Sequence, residues 1–312
     1  WRDDSLEAIK VRKSHNKDTI NTLKGFKKRN LSKTNQLNLR LFTELAKNEL
    51  EIGQFNRHLL PFSHRGGIQL AHENAEVLPL KNSQDYRLWI ERLKNLDKRI
   101  DQIILLARLG LKESYKPPKV LMKRVDRQID LQSRDNVDEN PFFKIFISLP
   151  DSIPNDEKTA LRTEARKVIK EVVIPSYQLL GKYFKDEYLP QSRSTVGLYD
   201  IPNGKRLYEL LAKTYTTTDL TPLEIHQIGL SEVSRIRNEM EKVIKQLEFK
   251  GSFKDFLQFL REDERFYYKT SEELFQGYLA VSKRIDPELV KLFGTLPRTP
   301  YGLRAIPVES AP

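Results

Sequence analysis

The chain has 312 residues, enough to bury a large core as one big domain or two of ordinary size. It is 38% hydrophobic and 31% charged with a mean hydropathy of −0.58, the balance of a soluble globular protein, and no apolar run nears the roughly 18 residues of a membrane span. The net charge is +11 and cysteine is absent, which removes disulfides, thiolate catalysis and Cys-ligated zinc together.

The charge is concentrated at the start. Residues 1–40 hold eleven Lys and Arg (among them Arg2, Arg12, Lys17, Lys28 and Arg29) against four acids, Asp3, Asp4, Glu7 and Asp18. Such a segment is either a solvated helical face or a surface for anionic lipid or nucleic acid. Only Trp1 and Phe26 could stack on bases there, so nucleic acid is not an expected partner; binding that weakens steeply with salt would be its mark.

Helix signals dominate the rest. From Ser32 to about Gln54, Leu37, Leu41, Phe42, Leu45, Leu50 and Ile52 predict an amphipathic helix, followed by a loop with Pro61, Gly66 and Gly67. From Ser83 to about Leu111 the positions Tyr86, Trp89, Leu93, Leu96, Ile100, Ile103, Ala107 and Leu111 recur at intervals of three and four. That spacing predicts one continuous helix with Ser83 as its N-cap, ended by Lys116-Pro117-Pro118. A shorter helix is predicted from Pro118 to about Arg134. The burst Phe142, Phe143, Ile145, Phe146 and Ile147 reads as either a strand or a buried helical turn.

A second long helix is predicted from Asp156 to Tyr188, with Leu161, Ala165, Val168, Val172, Leu179 and Tyr183 on its apolar side and a kink or break at Pro175. Turn chemistry at Pro190, Gly197 and Pro202-Asn203-Gly204 surrounds a short helix near Lys205–Thr214, and a sub-boundary is expected near 190–204. Thr221-Pro222-Leu223-Glu224 has the form of a capping box opening a helix to about Phe249, with Ile225, Ile228, Ile236, Met240, Val243, Ile244 and Leu247 predicted inward. Thr270-Ser271-Glu272-Glu273 repeats that form, and Asp286-Pro287-Glu288 opens a short final helix stopped by Gly294. The segment from about 295 to 312 holds four prolines and no helical period, so it is predicted extended. The expected fold class is all-α, a single helical region over 1–312.

Chemistry is sparse. His15, His58, His64, His72 and His226 show no pair at metal-ligand spacing; His72-Glu73 begins like a zinc helix, but position 76 is Glu76, so the second histidine of HExxH is missing. No P-loop, dinucleotide fingerprint or G-x-S-x-G elbow occurs. Arg265-Phe266-Tyr267-Tyr268-Lys269 reads as a binding surface or as packing at a helix junction.

One succession of short motifs points further. Thr216-Thr217-Thr218-Asp219-Leu220-Thr221-Pro222 leads into Glu224-Ile225-His226-Gln227-Ile228-Gly229-Leu230 and Arg235-Ile236. Ile285-Asp286-Pro287-Glu288-Leu289, Leu292-Phe293-Gly294, Leu296-Pro297-Arg298-Thr299-Pro300-Tyr301, Arg304-Ala305-Ile306-Pro307 and Ala311-Pro312 follow. In order and spacing this resembles the bacterial domain-of-unknown-function 885 family, densely from about Leu198 onward and by helix pattern before that.

The resemblance implies a largely helical protein similar to zinc metallopeptidases of the gluzincin type, exported, and often carrying a lipid-attachment cysteine. It implies a metal motif, a His-Glu pair followed by Pro-Gly-His-His, downstream of Pro312. The chain is therefore expected to be the N-terminal part of a larger cell-envelope protein, periplasmic and lipid-anchored upstream of Trp1. No catalytic residue or metal ligand is expected within it, and zinc and a peptide substrate are expected of the longer protein. Tyr301 and Arg304, on the extended segment, are the candidate substrate-binding residues, an arginine there being able to hold a peptide carboxylate bidentately. The alternative is a non-catalytic scaffold or binding lipoprotein of the envelope, since fold analogy alone does not fix function.

Overall fold

The computed structural model describes residues 1–27 and 30–306. Lys28 and Arg29 of the basic segment, and the Pro307 and Ala311-Pro312 ends of the motif succession, lie outside the described residues. The described residues form no strand beyond two isolated bridges, Ser63–Gly66 and Pro118–Arg193, and the fold is all-α. Two compact units divide the chain, Trp1–Pro222 and Leu223–Pro312.

The first unit begins with α1 (Leu6–Lys24) packed on α2 (Lys33–Ile52). Serines cap both: Ala8 N–H donates to Ser5 Oγ at 3.3 Å, and Asn35 N–H to Ser32 Oγ at 3.2 Å. The predicted amphipathic helix is present in α2, but its stripe is not covered. Only Ala46 is buried there, whereas Leu37, Leu41, Phe42 and Leu45 are exposed.

Short 3₁₀ turns lead to α3 (Asn74–Val77), α4 (Ser83–Leu93) and α5 (Leu96–Lys112). All eight stripe residues from Tyr86 to Leu111 are buried, yet they sit on two helices. The break has a local cause. Asn95 turns its side-chain amide back to the Glu91 carbonyl at 3.0 Å, offering that acceptor a side-chain donor in place of the helix ladder. The N-cap is Asn82, not Ser83: Asp85 N–H donates to Asn82 Oδ1 at 3.1 Å, and Asn82 N–H donates to Asp85 Oδ2 at 3.2 Å. Asn82→Ala should therefore cost about 1 kcal/mol, read as a lower denaturation midpoint at unchanged m-value.

After α6 (Lys119–Gln132), the aromatic burst resolves as the single helical turn α7 (Lys144–Ile147). Phe142, Phe143 and Phe146 are buried, and the Arg162 guanidinium closes the turn by donating to the carbonyls of Phe146 and Ile147 at 2.9 and 3.0 Å. The second long helix consists of α8 (Asn155–Val168), a π-helical turn over Ile169–Val173, α9 (Ile174–Tyr183) and a second π turn over Phe184–Tyr188. Pro175 has no N–H to give and crowds the carbonyl of Glu171, inside the π turn; widening that turn lets the helix continue past the proline. The extra residue also rotates the stripe, so that Tyr177 and Leu180 are buried while Leu179, predicted inward, is exposed. A large core joins these helices to the 62–75 segment, and a smaller one gathers Phe55, Leu59, Leu106, Tyr115, Ile201 and Leu207, the last on α10 (Gly204–Thr216).

The second unit consists of α11 (Pro222–Gln246), which opens at the unit boundary, then α12 (Phe253–Glu262), α13 (Ser271–Ile285) and the short α14 (Leu289–Leu292). Thr270 and Glu273 make the expected capping box, and Ser252 and Asp255 make another. Of the residues predicted inward between Ile225 and Leu247, Ile244 alone is buried; Ile228, Ile236, Met240, Val243 and Leu247 are exposed, and α13 buries nothing. The aromatic–cation cluster packs locally. Phe266 meets Phe259 edge-on at 5.5 Å, and Tyr267 Oη donates to the Leu260 carbonyl at 3.1 Å.

Candidate functional site

Beyond Leu292 the described chain is irregular up to Ile306, as the proline content predicts. Tyr301 lies on this stretch and is tied back to α13, its hydroxyl donating to the Ser282 carbonyl at 3.1 Å. The same hydroxyl lies beside the Asp286 carboxylate, which Lys283 Nζ meets at 2.9 Å; the lysine first and the tyrosine second hold that carboxyl below its usual range. Arg304 is exposed, and no ion pair or hydrogen bond joins it to Tyr301.

The histidines are dispersed. His72 is buried, its Nδ1 lying 3.0 Å from the Gln132 side-chain amide and its ring edge-on to Phe142 at 5.8 Å. His226 is exposed on α11. Among the described residues no three of His, Asp or Glu come together as a set able to hold a metal ion. The residues at hand therefore do not fit a zinc site of the protein-ligated kind.

A developed concavity lies elsewhere, in the first unit, and no motif in the sequence marks it. A cavity of about 1190 Å³ opens between α1, the end of α2, the 53–60 turns and the start of α10. Its cations are Arg2, Arg12, Lys13, Lys17 and Arg57, joined by His15 and His58, and among the described residues Glu49 is the one carboxylate that lines it. Its apolar wall includes Ile9, Leu50, Leu60, Leu198, Ile201 and Leu207.

The geometry explains how these groups are held. Asn56 is left-handed at φ 44°, a conformation asparagine tolerates, and it turns the chain between the 3₁₀ turns Gly53–Phe55 and Arg57–Leu59. Arg12 Nη1 donates to the Asp3 carbonyl at 2.6 Å, whereas its buried Nη2 makes no hydrogen bond and lies 3.9 Å from Asp4. Asp4 is shared with Arg2 at 3.1 Å and Arg99 at 3.4 Å, so one carboxylate faces three guanidinium groups.

His58 is half-buried, and desolvation first, then Lys13 and Arg12, push its pKa below 6.5, with Glu113 acting the other way. Because the folded form holds the proton less tightly than the unfolded chain, this histidine's stability contribution is complete above 6.5. It is lost as pH falls from there toward the depressed value. His58→Gln should shallow the acid-side decline of melting temperature below pH 6.5, measured as a series of melts against wild type.

The similarity to known proteins is consistent over the whole length. The family described as "Bacterial protein of unknown function (DUF885)" matches residues 1–312. The chain belongs to the DUF885 family. No curated protein matches it. The crystal structure of "the putative lipoprotein from Colwellia psychrerythraea" aligns with a TM-score of 0.85 at 23% identity, over 98% of this chain. At that identity the likeness establishes the shared fold. This DUF885 chain spans 55% of that structure's length. Among the described residues no helix is long and apolar enough to cross a membrane.

Proposed function

We propose that this DUF885 chain is the helical portion of a longer hydrolase-like protein of the bacterial cell envelope, whose zinc ligands and catalytic residues lie outside these 312 residues. One observation carries the reading. The second unit leaves its apolar faces uncovered: Leu223, Ile228, Val233 and Val243 on α11, and Leu274 and Tyr278 on α13, are all exposed. Faces of that extent ordinarily meet further polypeptide, and a structural neighbour has nearly half of its own length beyond the shared region. In this reading the second unit walls a cleft, and Tyr301 and Arg304 approach a peptide substrate from the extended segment. A lipid anchor upstream of Trp1 is the membrane attachment, by likeness to a structure described as a lipoprotein.

The test is the longer protein itself. Zinc content near one per chain and peptide cleavage support the reading, and Arg304→Ala should then raise KM roughly tenfold if the guanidinium holds a carboxylate. A longer chain without a His-Glu and His-His set, or one that binds no zinc, ends it. A second reading, a non-catalytic binding lipoprotein, is favoured by the cationic cavity, which is built wholly from the first unit. It predicts ligand binding with no hydrolysis by the longer protein.

A further inference from the structure

We propose that the cavity beside α1 binds an anionic amphiphile: a single acyl or alkyl chain ending in a carboxylate or phosphate. The proposal stands apart from the hydrolase reading, because every lining residue precedes Pro222.

Size comes first. At about 1190 Å³ the cavity is at least as large as ordinary small-molecule sites, roughly 300–1,000 Å³, so an alkyl chain fits with room for its headgroup. Chemistry comes second. Lys17 and Arg57 are exposed at the cavity and have no acidic partner among the described residues. Arg12 lies further in, half-buried, with the unfilled donor Nη2. Its Nη1 already donates to the Asp3 carbonyl and Asp4 lies 3.9 Å from Nη2, so Arg12 adds positive potential from behind while the exposed Lys17 and Arg57 meet the anion directly.

The apolar wall decides between ligand classes. Ile9, Leu60 and Leu198 pack against the smaller core, with buried Ile201 and Leu207 behind them, so the wall is a fixed surface rather than a set of mobile side chains. Inorganic phosphate would use the cations and leave that wall wet. A nucleotide would need a ring to stack on, and the described residues of the lining include no Phe, Tyr or Trp. An acidic peptide would satisfy the cations but would bring backbone polar groups against leucine and isoleucine. A chain with one anionic end matches both halves of the site.

Calorimetry on the 312-residue protein, with dodecanoate and dodecyl phosphate below their aggregation limits, tests this. Saturable one-site binding by either is expected, the two arms distinguishing a fatty-acid carboxylate from a phosphate headgroup. The double variant Lys17→Glu/Arg57→Glu changes two exposed positions and should keep the wild-type melting temperature while binding about tenfold or more weakly. Leu60→Gln should weaken both probes without changing their salt dependence. 1-Dodecanol should bind about tenfold worse than dodecanoate if the headgroup pairs with the cations. The proposal is overturned by an absence of saturable binding, or by affinity that survives the double charge reversal. Inorganic phosphate or an Asp-rich peptide occupying the site as tightly as dodecanoate would overturn it equally.

Discussion

Gly110→Ala is expected to lower the melting temperature by about 6–12 °C although it adds a single methyl group, taking roughly 3 kcal/mol of overpacking and about 2–4 °C per kcal/mol for a unit of this size. Gly110 lies in α5, where alanine would ordinarily stabilise a helix. Here a Cβ would sit 2.1 Å from the Leu59 carbonyl oxygen and 3.1 Å from its carbon. Both are backbone atoms, so no rotamer change relieves the clash; the whole 3₁₀ turn Arg57–Leu59 must move away. Leu59 anchors the smaller core, and its neighbours Arg57 and His58 line the cavity. The variant should therefore also weaken dodecanoate binding, a coupling that a purely local helix defect would not produce. Gly181→Ala is the control. Also buried within a helix, Gly181 would place its Cβ 3.4 Å from Ile129 Cγ2, an ordinary contact with a side chain. It should be neutral or stabilising by up to about 1 kcal/mol from helix propensity. Parallel thermal melts of the two variants separate backbone crowding from the general effect of glycine removal.

That Gly110 matters in this way could not be read from the sequence, and the reason applies to the cavity as well. Periodicity reports which residues of one helix share a face; it carries no information on which distant segment approaches that face. The stripe from Tyr86 to Leu111 was legible because every member is buried on the same side. It survived the break at Asn95 for the same reason, which is why the pattern alone reads as one helix. The break is set by a side-chain amide reaching the Glu91 carbonyl, a choice open to asparagine in many helices that continue unbroken. Pro175 was legible as a disturbance, but not its resolution as a π turn that moves Leu179 outward and Tyr177 inward.

The stripes of α2 and α11 show the converse limit. Their apolar spacing predicts helices correctly, yet it cannot say whether the partner surface belongs to the same compact unit, and Leu41, Phe42, Ile228 and Val243 remain exposed. The cavity draws Lys17 from α1, Arg57 from a turn and Leu207 from α10. The excess of positive charge over residues 1–40 was the one signal of it, and that signal fits a solvated face equally well. The family resemblance identified the chain but not this site, because the motifs that carry it begin near Leu198, past most of the residues that line the cavity.

Tyr177→Ala should be among the most damaging single changes in the first unit, costing roughly 3–5 kcal/mol, or about 6–20 °C in melting temperature. Tyr177 is fully buried in α9, its ring centroid 5.8 Å from that of Phe142. Its hydroxyl donates to the Ile68 carbonyl, at the start of the 3₁₀ turn Ile68–Glu73. One side chain thus fills the centre of the helical core and ties down a segment that carries buried Gln69, Leu70, Ala71 and His72. Burial pushes the phenol far above its ordinary pKa of 10, so the donor keeps its proton throughout the range in which the protein can be studied. Tyr177→Phe isolates the hydrogen bond from the packing: it keeps the ring and leaves the Ile68 carbonyl without this donor, a loss of about 1–3 kcal/mol. Hydrogen exchange distinguishes the two roles. Tyr177→Phe should speed exchange of the amides of the Ile68–Glu73 turn before those of α9, because it releases the tie while the core stays filled. Tyr177→Ala should speed both together. Equal exchange in the two variants would mean that the hydroxyl contributes nothing to holding the turn.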